Sequence, residues 1–203
     1  MNQQRLKWRN LSIDMTAMCD VAFLILTFFI LTAKPKQWLP VDVKLPVVKG
    51  AISEGGANVA VIIIAQDRVM FEIGDVNVRR RALSGMNADD HLGLSAEEVE
   101  KFEKISTIGV PVGGLKNHID NYYNSDLFYS QPGINITPAN NELGQWIFQG
   151  KKASNAVYGY DEWILIEADK RTPYPEIERV FNILQDQHIL KFGLQYYGRT
   201  IKE

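Results

Sequence analysis

Cysteine and histidine are scarce in this chain. Its 203 residues include one cysteine, Cys19, and three histidines. A single cysteine cannot form an intramolecular disulfide, so the folded part must be held by packing, whether or not its compartment is oxidising. His91, His118 and His188 have neither metal-ligand spacing with one another nor a cysteine pair nearby. The sequence therefore predicts no metal site.

Recognisable catalytic motifs are also lacking. The sequence contains no phosphate-binding loop, no G-x-S-x-G and no GxGxxG that precedes a helix. His118, with Asp120 two residues later, is a weak hint of a site, and a histidine in a loop is the commoner explanation. We therefore expect a protein that is not an enzyme and that has no cofactor.

An excess of charge is lacking as well. Lys and Arg total 22, Asp and Glu total 24, and the net charge is -2. The basic run Arg79–Arg81 is short, and acidic residues follow it at Asp89–Asp90 and in the segment at residues 95–104. We interpret this run as a solvated loop, and nucleic acid is not a predicted partner. The hydrophobic content of 46% is ordinary for a globular protein.

One long apolar run is present, at residues 15–33, where only Thr16, Asp20, Thr27 and Thr32 are polar. As a helix these nineteen residues would be roughly 28 Å long, close to the thickness of a bilayer's hydrocarbon core. A cleaved signal peptide fits less well, because its apolar core is shorter and residues 31–35 offer no small-x-small cleavage site. A buried soluble helix also fits poorly, since apolar residues cover every face. The run predicts a transmembrane helix.

Asp20 is the most informative residue of this helix. A charged carboxylate inside a membrane costs several kcal/mol, so it is by default a functional candidate. A low dielectric favours the neutral carboxyl group, which would let Asp20 take up and release a proton. Thr16, four residues before, and Thr27, seven residues after, share its helix face and complete a polar stripe. A threonine can also simply bond its own helix backbone, and the helix could be a plain anchor.

The flanks of the helix indicate the layout of the chain. Residues 1–14 form a short basic arm, and positive-inside logic slightly favours placing it in the cytoplasm. Residues 34–57 read as a linker that contains a short strand with period-two apolar residues, namely Val41, Val43 and Leu45. This strand could pair with another chain. Residues 58–203 suffice for one domain with its own core.

The domain reads as a small α+β fold. Strands are predicted at residues 58–65 and 69–73, joined as a hairpin, and at 163–168 and 189–196. Helices are predicted at 95–106, where Ser95 and Glu98 form a capping-box signature, at 140–150, ended by Gly150, and at 173–188. Residues 74–138 are less orderly. We expect a sheet with two or three helices.

Two segments resemble a known family. Residues 13–21, IDMTAMCDV, with the Phe/Leu/Ile run and VDVKLP after them, look like the N-terminal signature of the ExbD/TolR biopolymer-transport proteins. The tail at residues 166–196 is similar to their terminal pattern of strand, a-D-k, helix and strand. Asp14 and Ala17 stand where the family usually has Asn and Pro, and residues 74–138 resemble an insertion relative to the short members.

The resemblance implies a subunit of a proton-driven motor in the bacterial inner membrane. Family members place two such helices inside a ring of a multi-spanning partner, ExbB or TolQ, which implies a homodimer. The aspartate matching Asp20 carries the proton, which is the coupling ion. The domain would lie in the periplasm, and in the ExbD branch it would act on TonB to energise outer-membrane receptors. A TolR-type role in envelope integrity, a gliding or secretion motor, and a membrane-anchored scaffold or binding module stay open as alternatives.

Overall fold

The computed structural model describes residues 15–33, 58–122, 124–169 and 171–196. The chain divides into two compact units, Met1–Trp38 and Leu39–Glu203. The predicted arm, residues 1–14, and the predicted linker with its strand, residues 34–57, lie outside the described residues.

The described part of the first unit is one helix, α1, at Met15–Thr32. Neither glycine nor proline interrupts its sequence, so every residue can keep helical dihedral angles. Large apolar side chains stand exposed along α1, from Met15 to Leu31. Among the described residues no helix is long and apolar enough to cross a membrane. The predicted element is thus present as a helix that ends at Thr32, one residue earlier than predicted, and a membrane span is not confirmed.

The second unit is a mixed α+β domain. Its strands are β1 Val59–Ala65, β2 Arg68–Ile73, β3 Thr107–Ile108, β4 Ile136–Thr137, β5 Asn140–Asn141, β6 Trp163–Ala168 and β7 Phe192–Tyr196. Its helices are α2 Val76–Asp90, α3 Ala96–Phe102, α4 Leu115–Asp120, α5 Ser125–Tyr129, α6 Glu142–Tyr158 and α7 Tyr174–Asp186, with a 3-10 turn at Val112–Gly114. The predicted α+β class is confirmed.

Five strands form the main sheet in the order β3-β2-β1-β6-β7. β1 and β2 are antiparallel, as the predicted hairpin requires, whereas β6 runs parallel to both β1 and β7. The hairpin loop has two residues, Gln66 and Asp67, at φ +55° and +58°. Positive φ at both positions gives a turn whose twist matches that of the strands. Each parallel connection includes at least one helix, α6 before β6 and α7 before β7.

The core lies between one face of this sheet and the helices. β1 and β6 alternate, so that Ile62 and Ile166 enter the large buried cluster while Ile63 belongs to a small cluster on the opposite face. Trp146 of α6 stacks on Phe102 of α3 with ring centroids 6.1 Å apart, and both are fully buried. Helices α2 and α6 pack against each other above the sheet.

The number of helices predicted for the domain is wrong, because residues 74–138 contain more helices than expected. They form four α-helices, so the six α-helices described in this unit exceed the two or three predicted. They also supply core residues of the same cluster, among them Phe102, Ile105, Ile108, Leu115 and Ile134. Their strand β3 pairs with β2 and extends the sheet. This region is therefore an integral part of the domain core.

The basic run is not a solvated loop. Arg79–Arg81 lies in α2, which begins after the N-cap residue Asp75, whose carboxylate accepts from the backbone N–H groups of Asn77 and Val78. Arg79 is only 4% exposed. Its Nε donates to Ile73 O at 3.1 Å, and its two Nη groups donate to Glu103 O and Gly74 O at 2.9 and 3.2 Å. A buried guanidinium with three carbonyl acceptors ties α2 to the end of β2 and to the end of α3.

Gly150 does not end the helix in which it lies. α6 continues for two further turns to Tyr158 and ends at Gly159, which adopts the left-handed conformation at φ +78°. Residue 150 lies inside the helix. A Cβ at this position would overlap the Glu162 carboxyl group, which accounts for the glycine. The glycine at position 150 is explained by the close approach of the Glu162 carboxyl group to the backbone of α6 and not by a helix end.

Other predicted elements agree with the structure. Ser95 and Glu98 form the predicted capping box, although α3 ends at Phe102 rather than near residue 106. The strand at Trp163–Ala168 has the predicted bounds, and α7 begins after Pro173. β7 begins at Phe192, three residues later than predicted.

Candidate functional site

The predicted polar stripe lies on α1. Because α1 is helical from Met15 to Thr32, Thr16, Asp20 and Thr27 fall within about 40° of one another around its axis. Thr16 and Asp20 are exposed, and Thr27 is half-buried. Phe23 lies on the same face between Asp20 and Thr27. The shared face follows from the helix, and the roles of the three residues stay predictions.

Asp20 differs chemically from the rest of the stripe. It is the only Asp, Glu, Lys or Arg in α1. The Thr27 hydroxyl donates to Leu24 O at 2.9 Å, and the Thr32 hydroxyl donates to Phe28 O at 2.8 Å. Both hydroxyl groups are therefore already bonded to their own helix, as threonines in apolar helices often are. Asp20 is the residue of this face that can change its charge.

A possible partner-binding surface lies at one edge of the sheet. β7 pairs with β6 and has no other neighbour in the described sheet. Beside it, an apolar cavity of about 270 Å³ is lined by Thr172, Tyr174, Ile177, Phe181 and Leu194. Leu194 is 47% exposed, and Phe181 packs on Phe192 with ring centroids 5.3 Å apart. We call this strand edge and cavity the β7 surface. The sequence alone does not reveal this surface, because only the strand order shows which strand lies at the edge of the sheet.

The predicted partner-binding residues Val41, Val43 and Leu45 lie outside the described residues. The opposite edge of the sheet is β3, which is only two residues long. A strand of this length offers little backbone for pairing with another chain. β7 is therefore the longer of the two edge strands of the described sheet.

The structure does not support a functional site formed by His118 and Asp120. His118 lies in α4, not in a loop, and is 5% exposed, whereas Asp120 is exposed at the end of the same helix. Its ring packs edge-on against Tyr122 at 6.0 Å, and burial lowers the pKa of His118. In the described ranges no group of three or more His, Cys, Asp or Glu side chains could hold a metal ion.

Asp169 shows how the tail motif works locally. It follows β6, its side chain is almost fully buried, and its carboxylate accepts from Arg171 N at 2.8 Å and Arg171 Nε at 3.3 Å. The Asp169 backbone N–H donates to Ile64 O, and the Thr172 hydroxyl donates to the same carbonyl at 3.0 Å. These bonds fix the turn from β6 to α7.

Comparison with known proteins gives one match that decides the family. A family model described as "Biopolymer transport protein ExbD/TolR" matches residues 7–198, nearly the whole chain and including the region between β2 and α6. The chain belongs to the ExbD/TolR family. No curated protein and no solved structure matches it.

Family membership confirms several predictions. ExbD/TolR proteins are subunits of transport motors and not enzymes. They work with ExbB/TolQ-type and TonB/TolA-type partners, and they are typically anchored in the inner membrane. The match extends the resemblance from the two ends of the chain to the helices between them.

Proposed function

We propose that this ExbD/TolR protein is an ExbD-like subunit of a motor driven by the proton motive force. With a ring of an ExbB-like partner, it would energise TonB-dependent transport across the outer membrane. The observation that carries the proposal is Asp20, the one charged residue of an apolar helix, in a chain that matches the family from residue 7 to residue 198.

The proposed location of α1 is the inner membrane, among the helices of the partner. Apolar side chains cover most of its surface, and Asp20 with the two threonines occupies one face. Such a helix is stabilised when its polar face meets other helices and its apolar faces meet lipid or apolar helix walls. Two copies of α1 in one ring, with residues 1–14 in the cytoplasm and the α+β domain in the periplasm, complete the proposed arrangement.

Charge change at Asp20 supplies the proposed mechanism. A proton that crosses the membrane field releases about 2.3 kcal/mol per 100 mV. The neutral carboxyl group faces apolar surroundings at a lower cost than the carboxylate, so each protonation shifts the favoured position of α1. Repeated uptake and release would drive rotation or rocking of one subunit against another, and the domain would deliver that motion.

A second candidate function has the same support from the family match, because the matching model covers both ExbD and TolR proteins. In a TolR-like role the motor would maintain the cell envelope, and a gliding motor could use the same parts. A membrane-anchored periplasmic scaffold is the alternative from another class. In that case Asp20 would make only a polar contact between helices.

Deletion of the gene, followed by complementation with the wild-type chain, separates these candidates. An ExbD-like subunit predicts that the deletion strain stops growing when an iron complex that needs active outer-membrane uptake is the only iron source. Its resistance to detergent should stay normal. Detergent sensitivity with normal uptake would instead identify the TolR-like role. Normal results in both assays would contradict both.

We propose that the β7 surface binds an extended segment of the TonB-like partner by strand addition. The outer edge of β7 supplies backbone groups, and the adjacent cavity accepts one apolar side chain of the added strand. The predicted pairing of Val41, Val43 and Leu45 with a partner strand is a separate expectation.

Leu194→Asp tests the β7 surface. A charge placed in the apolar cavity should weaken binding of the partner's periplasmic region at least about tenfold, because an unpaired charge is costly to bury. Binding is measured by titration with the full chain in detergent. Leu190→Asp is the matched control, since Leu190 is 75% exposed and lies outside this cavity. Equal affinities of both variants and wild type would contradict the proposed contact.

A further inference from the structure

Glu162 is a buried carboxyl group that the proposed motor mechanism does not use. It directly precedes β6 and is 8% exposed. Its Oε1 atom is buried, with no hydrogen-bond partner among the described residues. A buried polar atom without a partner requires an explanation, because leaving it unpaired costs free energy.

Gly150 provides the space that Glu162 occupies. A Cβ at Gly150 would overlap Oε1 and would lie 3.3 Å from Cδ of Glu162. The carboxyl group therefore sits directly against the backbone of α6, in a hollow that exists only because residue 150 has no side chain. Glycine inside a helix is destabilising by about 0.5 to 1 kcal/mol relative to alanine, so the hollow has a cost of its own.

The same carboxyl group borders a cavity of about 400 Å³ that contains charged side chains. The titratable groups that line it are Lys151 from α6, Asp161 beside Glu162, and His188 and Lys191 from the segment between α7 and β7. Lys151 Nζ lies 3.2 Å from Asp161 Oδ2, and Asn155 Nδ2 donates to Asp161 Oδ1 at 2.7 Å. Glu162 thus has two environments within reach, an uncharged hollow and a cavity with cations.

The charge state of Glu162 decides which environment is favourable. Burial, and to a smaller extent the neighbouring Asp161 carboxylate, together raise the pKa of Glu162 to about 8. The neutral acid tolerates the hollow, whereas the carboxylate loses solvation there without a compensating partner. The cavity also contains Lys191, whose positive charge favours a carboxylate over the neutral acid.

We propose that Glu162 is a proton-controlled latch between α6 and the start of β6. With its proton it lies in the hollow at Gly150 and holds the two elements together. When the proton leaves to solvent, the carboxylate moves into the cavity and pairs with Lys191, which lies outside α6, and α6 loses this contact. The latch gives the α+β domain its own response to proton concentration, which goes beyond the proposed motor and does not depend on Asp20.

Hydrogen exchange on the full chain in detergent tests the latch. Protection of amides in α6 around Gly150, corrected for the intrinsic rate at each pH, should fall about fivefold between pH 8 and pH 9. Glu162→Gln keeps the shape of the side chain and cannot titrate, so its protection should not change with pH. Glu178→Gln, at an exposed glutamate of α7, is the matched control and should behave as wild type.

Asp161→Asn supplies an independent check. Removal of that carboxylate takes away a charge that favours the protonated form of Glu162, and it leaves Lys151 without its partner. The transition should therefore move to lower pH. The latch is wrong if wild type shows no transition between pH 6.5 and 9.5, if Glu162→Gln retains it, or if Asp161→Asn leaves its midpoint unchanged.

Discussion

Asp20→Asn is expected to abolish proton-driven activity while the complex still assembles. Asparagine keeps the size and hydrogen-bonding capacity of the side chain and cannot take up a proton, so the charge cycle proposed for α1 stops. We expect no growth on the iron complex in a deletion strain that carries this variant. The ExbB-like partner should co-purify with it as with wild type.

Two further variants sharpen this result. Asp90→Asn removes an exposed carboxylate at the end of α2, so growth should be normal. Thr27→Val removes a hydroxyl that bonds its own helix, so most activity should remain. Normal growth with Asp20→Asn would show that α1 is an anchor. Loss of co-purification would show that Asp20 acts as a polar contact between helices, as the scaffold alternative requires.

Arg79→Met should lower the free energy of unfolding by about 3 to 5 kcal/mol, the largest expected effect in the α+β domain. Methionine fills much of the volume and donates no hydrogen bond, so the carbonyls of Ile73, Gly74 and Glu103 lose a buried donor. Glu72 and Asp75 also lose the favourable interaction of their carboxylates with a nearby positive charge. Urea unfolding of the full chain in detergent measures the change, and the midpoint of thermal unfolding should drop by about 10 °C.

Arg81→Met is the matched control for Arg79→Met. Arg81 is two residues along the same helix and is exposed, so its replacement should change stability by no more than about 0.5 kcal/mol. Equal destabilisation by both variants would mean that α2 simply needs its positive charges. Equal stability of Arg79→Met and wild type would contradict the role of the three carbonyl bonds.

Elements with strong local signals were predictable from the sequence. The apolar β-branched runs of β1 and β6 are strands, since Ile and Val fit a pleated, buried surface. α7 keeps apolar residues on one face and follows a proline, which is a helix-start signal. The capping box at Ser95 marked the start of α3 within one residue.

The errors share a physical cause, which is that a distant residue decided the local structure. The basic run in α2 resembles a solvated segment, and Arg79 is buried because carbonyls of β2, its following glycine and the end of α3 accept its hydrogen bonds. Gly150 resembles a helix end, and it lies inside α6, where the carboxyl group of Glu162, the residue before β6, approaches its backbone closely. The contact of Arg79 with Glu103 and the contact of Gly150 with Glu162 each join different elements, so a local pattern does not reveal them.

The sequence by itself determined the α+β class, the main strands and the one carboxylate of α1, because each depends on residue type and periodicity within a short segment. Tertiary structure alone decided that residues 74–138 contribute to the core, that β7 is an edge strand of the described sheet and that Glu162 lies against Gly150. Strand order and close packing depend on contacts between residues far apart in the chain, and such contacts leave no periodic signal in either segment.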